Sequence, residues 1–268
     1  MKSITALGAL LICAAAPAAE LHPIVEVKSG YLFGATSDGK WIKAEEAAKA
    51  LTDETTYRIY GLTQSLGETK GAKPKPSEED VCSDVLTVSL SPKPEKGAIA
   101  LAASWNALPR KPQVIDRTQK VYIDAARDFL KTKGIEQPKV KIESILRIDL
   151  DGDGEDEVLI SATNYFSKND RVPMRSPAGS YSMVLLRRVV AGKVETQLVD
   201  GEFYPKAYTK TPEFNAPNAY KVIAVLDLDG DGKMEVVVAS QYYEGEAMTI
   251  YRCHPKKIEA LLSVGCGA

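Results

Sequence analysis

The chain has 268 residues, of which 44% are hydrophobic and 26% are charged, and its formal net charge at pH 7 is −2. This hydrophobic fraction is enough to build a folded core and argues against a disordered chain. The near-neutral charge gives no electrostatic case for binding DNA or RNA, and the length allows one domain or two.

Residues 1–18 have the features of a secretion signal. Lys2 precedes an apolar run at positions 4–16, and the Ala-Pro-Ala at 16–18 fits a small-x-small cleavage site. We therefore expect an exported protein, periplasmic or secreted, whose mature chain begins at Ala19. The apolar run is too short to span a bilayer, and no second stretch of about 18 apolar residues exists. No integral membrane segment is expected in the mature chain.

Residues 19–135 predict a β-rich region with short helices. The Asp38-Gly39 dipeptide between two apolar stretches indicates a hairpin turn, and an alanine-rich helix is expected at 43–51. Short strands are expected at 57–62, 85–90 and 98–103.

A longer amphipathic helix is predicted over residues 117–133, from the spacing of Tyr122, Ala125, Ala126 and Phe129. Asp116 is the expected N-cap, and Gly134 is expected to end the helix. This helix marks the expected boundary between the N-terminal region and tandem β-repeats at 136–268.

The string DLDGDG occurs twice in the second half of the chain, at Asp149–Gly154 and Asp227–Gly232. Counted from the first aspartate, positions 1, 3, 5 and 9 are acidic in both copies: Asp149, Asp151, Asp153 and Glu157, then Asp227, Asp229, Asp231 and Glu235. Hard oxygen ligands at this density suit calcium. Glycine at position 6 permits a sharp turn, so that Glu155 or Lys233 at position 7 can offer its backbone carbonyl.

An EF-hand is the competing calcium motif, and it requires a glutamate at position 12 and a helix on each side. Position 12 is Ile160 in the first copy and Val238 in the second, and the flanks alternate or run apolar as strands do. Two ordinary Asp-Gly turns without an ion are also disfavoured, because the spacing, the glycine and the glutamate recur together. The sequence predicts two strand-loop-strand calcium turns.

The loops belong to a longer repeat, since Asp149 and Asp227 begin the two copies at an offset of 78 residues. Met183–Arg187 aligns with Met248–Arg252 if the first copy carries an insertion at Ser167–Ser180. Each unit then reads as four antiparallel strands, the pattern of a propeller blade. We predict a mainly β fold with minor α content, in an incomplete or small propeller.

The D-x-D-x-D-G-x-x-E loop between two strands resembles the calcium-binding repeats of the FG-GAP and integrin-α type, in which such a loop joins strands of one propeller blade. The resemblance covers roughly the second half of the chain. It implies two Ca²⁺ ions held by the eight acidic residues, in a secreted or surface protein that usually binds a partner rather than transforming it.

Three cysteines remain after the expected cleavage: Cys82, Cys253 and Cys266. One disulfide and one free thiol are expected in an oxidising compartment. The sequence leaves all three pairings open.

No catalytic motif is present: the sequence has no GxSxG, no HExxH and no phosphate-binding glycine loop. Glu244 and Glu246, beside Tyr242 and Tyr243, suit acid-base chemistry, but a polar turn with exposed tyrosines is the favoured interpretation. Two functions stay open. The favoured one is a non-enzymatic module with structural calcium that binds a protein or glycan through loops such as 167–180. The alternative is a secreted hydrolase or lyase that uses the calcium turns as a scaffold.

Overall fold

A computed structural model describes residues 20–166, 172–207 and 215–267. The expected signal segment and residues 167–171 of the insertion lie outside this part of the chain. The described residues form two α-helices, α1 (Ala44–Ala50) and α2 (Lys120–Thr132), and eighteen strands. In chain order the strands are β1 (His22–Glu26), β2 (Leu32–Ser37), β3 (Lys40–Lys43), β4 (Thr55–Tyr60), β5 (Ser65–Gly71), β6 (Lys75–Pro76), β7 (Leu86–Thr87), β8 (Leu90–Ser91), β9 (Ile99–Leu101), β10 (Gln113–Ile115), β11 (Ile142–Ile148), β12 (Glu157–Thr163), β13 (Ser180–Val190), β14 (Lys193–Tyr204), β15 (Ala219–Leu226), β16 (Glu235–Tyr242), β17 (Gly245–His254) and β18 (Lys257–Gly267).

Three sheets account for most of the strands. The N-terminal sheet has the order β3-β2-β1-β9-β4-β5-β8, the first-repeat sheet β10-β11-β12-β13-β14, and the second-repeat sheet β15-β16-β17-β18. Strands β6 and β7 form a small separate pair. All pairings are antiparallel, and the strands of both repeats follow one another as meanders. The prediction of a mainly β fold with minor α content and blade-like meanders is confirmed.

In the N-terminal region, the predicted hairpin turn is confirmed and the predicted helix cap is wrong. Asp38 and Gly39 have φ angles of 48° and 71°, as the predicted hairpin turn between β2 and β3 requires. The predicted cap of α2 is wrong. Asp116 accepts a hydrogen bond from the Thr118 amide at 2.8 Å, which closes a turn ahead of the helix, and the residue at the N-cap is Gln119.

Strand β10, which the sequence did not predict, precedes the expected boundary at residue 135 and pairs with β11. Helix α2 packs on the outer face of the same sheet, where Ala126 and Leu130 join a buried cluster with Ile160 and Leu185. Strand β10 therefore extends the first-repeat sheet, and helix α2 covers one of its faces. No helix in the described ranges is long and apolar enough to cross a membrane.

Most strands are apolar on both faces. The three sheets bury these faces by stacking on one another. In the first-repeat sheet, Leu159 and Leu186 point away from α2 into a large cluster shared with the other two sheets. Neighbouring residues of β15, Val225 and Leu226, both belong to that cluster, so both faces of the second-repeat sheet are covered. The far face of the N-terminal sheet packs against α1 around Leu51. The second-repeat sheet is thus the central layer.

The strand register corrects the alignment of the two repeats. Val158 is paired with Arg187, whereas its repeat equivalent Val236 is paired with Tyr251. Arg252 therefore corresponds to Arg188, and the alignment of Met183–Arg187 with Met248–Arg252 is shifted by one residue. A one-residue slip moves every side chain to the opposite face. The sequence could not fix the register, since both faces of these strands are apolar.

The structure joins Cys82 to Cys266, with their Cα atoms 5.5 Å apart, and leaves Cys253 buried and unpaired. Of the three pairings that the sequence left open, this one ties the segment before β7 to the last strand of the second-repeat sheet. The covalent link thus connects the N-terminal region to the far end of the chain.

Loss of this disulfide is expected to destabilise the whole fold. The bond closes a loop between residues 184 apart in sequence, and a cross-link of this span removes about 5 kcal/mol of unfolded-chain entropy in the chain-entropy description. The double variant Cys82→Ser, Cys266→Ser should unfold at a clearly lower urea concentration than the wild type under oxidising conditions. The control Cys253→Ala retains the disulfide, so reductant should still lower its urea midpoint, as it does that of the wild type. Equal midpoints for the double variant and the wild type would contradict the role given to this bond.

Candidate metal centre

The first aspartate organises the backbone of each loop. Asp149 accepts hydrogen bonds from the Gly152 amide at 2.6 Å and from the Gly154 amide at 3.1 Å. Asp227 accepts the same two bonds, from Gly230 at 2.8 Å and Gly232 at 3.1 Å. All four glycines have positive φ angles, between 77° and 90°, which residues with a Cβ adopt at a cost. The duplicated sequence therefore folds twice into the same turn.

The ninth residue returns to the start of the loop because it begins the outgoing strand. Glu157 is paired with Ile148, and Glu235 with Leu226, each directly before the first aspartate. Glu157 accepts a bond from the Leu150 amide at 2.8 Å, and Glu235 accepts one from the Leu228 amide at 3.0 Å. One carboxylate oxygen from each of positions 1, 3 and 9 then lies within 4.8 Å of the others, in two groups: Asp149, Asp151 and Glu157, and Asp227, Asp229 and Glu235.

Position 5 is not part of these groups. The carboxylates of Asp153 and Asp231 instead accept bonds at 2.8 Å from the amides two residues later, those of Glu155 and Lys233. The side chains of Glu155 and Lys233 are exposed at the loop tips. The structure thus brings together six of the eight acidic side chains that the sequence singled out.

Burial makes the second group electrostatically costly. It raises the pKa of Glu235 to about 8, with a further contribution from the charge of Asp229. Burial is also the main cause of the raised pKa of Asp227 and Asp229, to which neighbouring carboxylates add. In the first loop burial raises the pKa of Glu157. Carboxylates held this close favour a positive charge among them.

Each carboxylate group forms a salt bridge with an arginine that was not predicted from the sequence. Arg188 donates to Glu157 Oε1 at 3.2 Å, and Arg252 donates to Glu235 Oε1 at 3.3 Å. Arg252 donates in addition to Asp229. These two arginines occupy the equivalent position of β13 and β17, so the correct repeat register is the signal that would have found them.

The donor atoms fit a hard divalent cation. Both groups offer only carboxylate oxygens, without the histidine or cysteine ligands that zinc sites use. In the first loop the Oδ1 atom of Asp151 is buried and has no hydrogen-bond partner within the described ranges. A buried oxygen is rarely left without a partner, so this atom supports a bound cation.

The two loops lie beside each other and share contacts. The Met234 amide donates to the Leu150 carbonyl at 2.7 Å. Arg110 bridges the loops, with its Nε 2.7 Å from the Asp149 carbonyl and its Nη2 2.7 Å from the Gly232 carbonyl. The indole of Trp105 donates to the Asp227 carbonyl at 2.9 Å. Residues 105–110 of the N-terminal region therefore hold both loops in place.

The acidic pair Glu244 and Glu246, at the hairpin of β16 and β17, lies at a different surface from the two loops. Glu246 forms a salt bridge with Lys28 at 2.8 Å and accepts a bond from the Ser29 hydroxyl at 3.2 Å. The rings of Tyr242 and Tyr243 are 5.8 Å apart in an edge-to-face arrangement. These residues and Glu244 line an open cleft of about 410 Å³.

No protein-family model, no curated protein and no solved structure matches the chain. The residues of the two loops therefore carry the functional argument alone.

Two glycines of the second loop provide a matched pair of variants. A Cβ at Gly232 would meet no atom within 4 Å, whereas a Cβ at Gly230 would lie 3.2 Å from the ring of Trp105. Gly232→Ala should cost about 1 kcal/mol of unfolding free energy through the positive φ alone. Gly230→Ala should cost more, because Trp105 must also shift. Urea unfolding measures both, and equal losses would contradict the contact between Trp105 and the loop.

Proposed function

We propose that this protein is an exported calcium-binding β-module in which the two loops hold structural Ca²⁺. The convergence of carboxylates from positions 1, 3 and 9 in both copies carries the proposal. The buried, unpartnered Asp151 oxygen supports it for the first loop. The resemblance to FG-GAP repeats adds Asp153 and Asp231 to the ligand sets. The sharp turn at Gly154 and Gly232 lets the backbone carbonyls of Glu155 and Lys233 complete them.

A structural role suits the position of the loops. Each loop joins the first two strands of its repeat, and Arg110 and Met234 link the loops to each other. A bound ion supplies the positive charge that lets the carboxylates stay together. Extracellular calcium modules bind with a Kd of about 10⁻⁴ to 10⁻³ M, so an exported protein in millimolar calcium would remain loaded.

Export is supported by two independent features. The segment at 1–18 has the composition of a secretion signal. The bond between Cys82 and Cys266 is of a kind that forms and persists in oxidising compartments such as a periplasm or the cell exterior.

The proposed activity is binding of a protein or glycan. The cleft at the turn between β16 and β17 offers aromatic rings from Tyr242 and Tyr243 and carboxylates from Glu244 and Glu246, groups that suit polar ligands. No contact in the described part of the chain favours the alternative of a secreted hydrolase or lyase over this module.

Calcium is expected to raise the thermal stability of the mature protein. At a tenfold excess over Kd each site adds about 1.4 kcal/mol to the free energy of unfolding. The melting temperature should therefore be higher in millimolar Ca²⁺ than in EDTA, and the double variant Asp151→Ala, Asp229→Ala should lose this difference.

A matched control removes the same charge at two exposed acidic residues outside the loops, with Glu45→Ala and Asp128→Ala. It should respond to Ca²⁺ as the wild type does. Identical melting temperatures of the wild type in EDTA and Ca²⁺ would rule out the calcium function.

A further inference from the structure

The two equivalent arginines make different contacts. Arg188, only 3% exposed, donates to Glu157 at 3.2 Å and to the Cys253 carbonyl of the second-repeat sheet at 3.1 Å. Within the described residues it forms no hydrogen bond or salt bridge with Asp151, whose Oδ1 atom has no hydrogen-bond partner there. In the first loop, the guanidinium of Arg188 thus contacts only one of the three carboxylates, that of Glu157. Its other hydrogen bond is to the Cys253 carbonyl of the neighbouring sheet.

Arg252 instead binds two carboxylates of its own loop. It forms salt bridges with Glu235 at 3.3 Å and with Asp229. The side chains of these two acidic residues are 1% and 2% exposed. The carboxylate pair at positions 3 and 9 is therefore already neutralised in part by a cation that belongs to the chain.

A cation from solvent must compete with this guanidinium. Hydrogen bonds from a guanidinium to carboxylates are charge-assisted and about twice as strong as neutral hydrogen bonds. Asp229 and Glu235 would have to exchange at least part of their bonds with Arg252 for bonds to the ion. In the first loop, no arginine bond to position 3 has to be given up.

Arg252 also contacts an aromatic ring outside its loop. The carbon of its guanidinium lies 5.6 Å from the centre of the Trp41 ring, in the N-terminal sheet, a distance typical of a cation–π contact. It also lines a cleft of about 250 Å³ between the two loops, together with Asp151, Glu235 and His254. The side chain can therefore leave Asp229 without losing all of its favourable contacts.

We propose that Arg252 is an internal counter-cation of the second loop, and that it makes this loop bind Ca²⁺ more weakly than the first. The inference rests on the proposed calcium function and assigns unequal roles to the two copies. The first loop is the site that stays loaded, and the second loads by displacing Arg252 toward Trp41. Since charge-assisted hydrogen bonds are lost in that exchange, the two affinities should differ by at least about tenfold.

Calorimetric titration of the chelator-treated full chain with CaCl₂ tests this, with one loop disabled at a time. Asp229→Ala leaves the first loop to be measured, and Asp151→Ala leaves the second. The first loop should bind at least about tenfold more tightly. Equal affinities, or a tighter second loop, would overturn the proposal without any change to Arg252.

The role of Arg252 itself is tested by adding Arg252→Gln to the Asp151→Ala protein. This change should tighten Ca²⁺ binding at the second loop by about tenfold or more. Lys221→Gln is the matched control, because it removes the same charge from an exposed side chain of the same repeat, outside the loop. It should change the affinity by less than about threefold. Circular dichroism in chelator establishes that each variant is folded.

The possible failures are distinguishable. If the first loop binds Ca²⁺ and Arg252→Gln leaves the affinity of the second loop unchanged, the role of Arg252 is wrong and the calcium function stands. An equal gain from Lys221→Gln would show that net charge, rather than the contact with Asp229, sets the affinity, and would also overturn the proposal. If neither loop binds Ca²⁺ in any of the proteins, both the proposed function and this inference are wrong.

Discussion

Crowding of three carboxylates in each loop is the constraint on which the surrounding structure depends. The first aspartate and the ninth glutamate are fixed by backbone amides, so their oxygens face one another. In the second loop this geometry is largely buried, which raises the pKa of Glu235 to about 8. A positive charge beside the ionised carboxylates offsets part of this electrostatic cost. Arg252 supplies one in the second loop, and the proposed ion supplies it more fully in both.

The loops are also where the N-terminal region meets the repeats. Trp105 and Arg110 bind backbone carbonyls of the loops, and β10 extends the first-repeat sheet. At the opposite end of the chain, Cys266 is bound to Cys82. The central second-repeat sheet thus contacts a layer on each side, and an ion that holds its first two strands in place acts on the whole stack. This arrangement suits the structural role that we propose for a bound ion.

Features governed by neighbouring residues could be predicted from the sequence. The acidic spacing and the glycines define both loops, and Asp38-Gly39 defines its hairpin, because turn geometry depends on a few adjacent residues. Features set by distant contacts could not. Strands that are apolar on both faces carry no register signal, so the equivalence of Arg188 and Arg252 was missed. Arg110 lies in an aperiodic segment, and the choice of Cys266 as the partner of Cys82 depends on how the sheets stack.

A crystal structure of the mature protein grown in CaCl₂, with anomalous diffraction recorded at long wavelength, would locate calcium in the two loops directly. Two bound ions should give one anomalous peak among Asp149, Asp151 and Glu157 and a second, of equal or lower occupancy, among Asp227, Asp229 and Glu235. Well-ordered loops without an anomalous peak in either group at millimolar calcium would contradict the proposed calcium function.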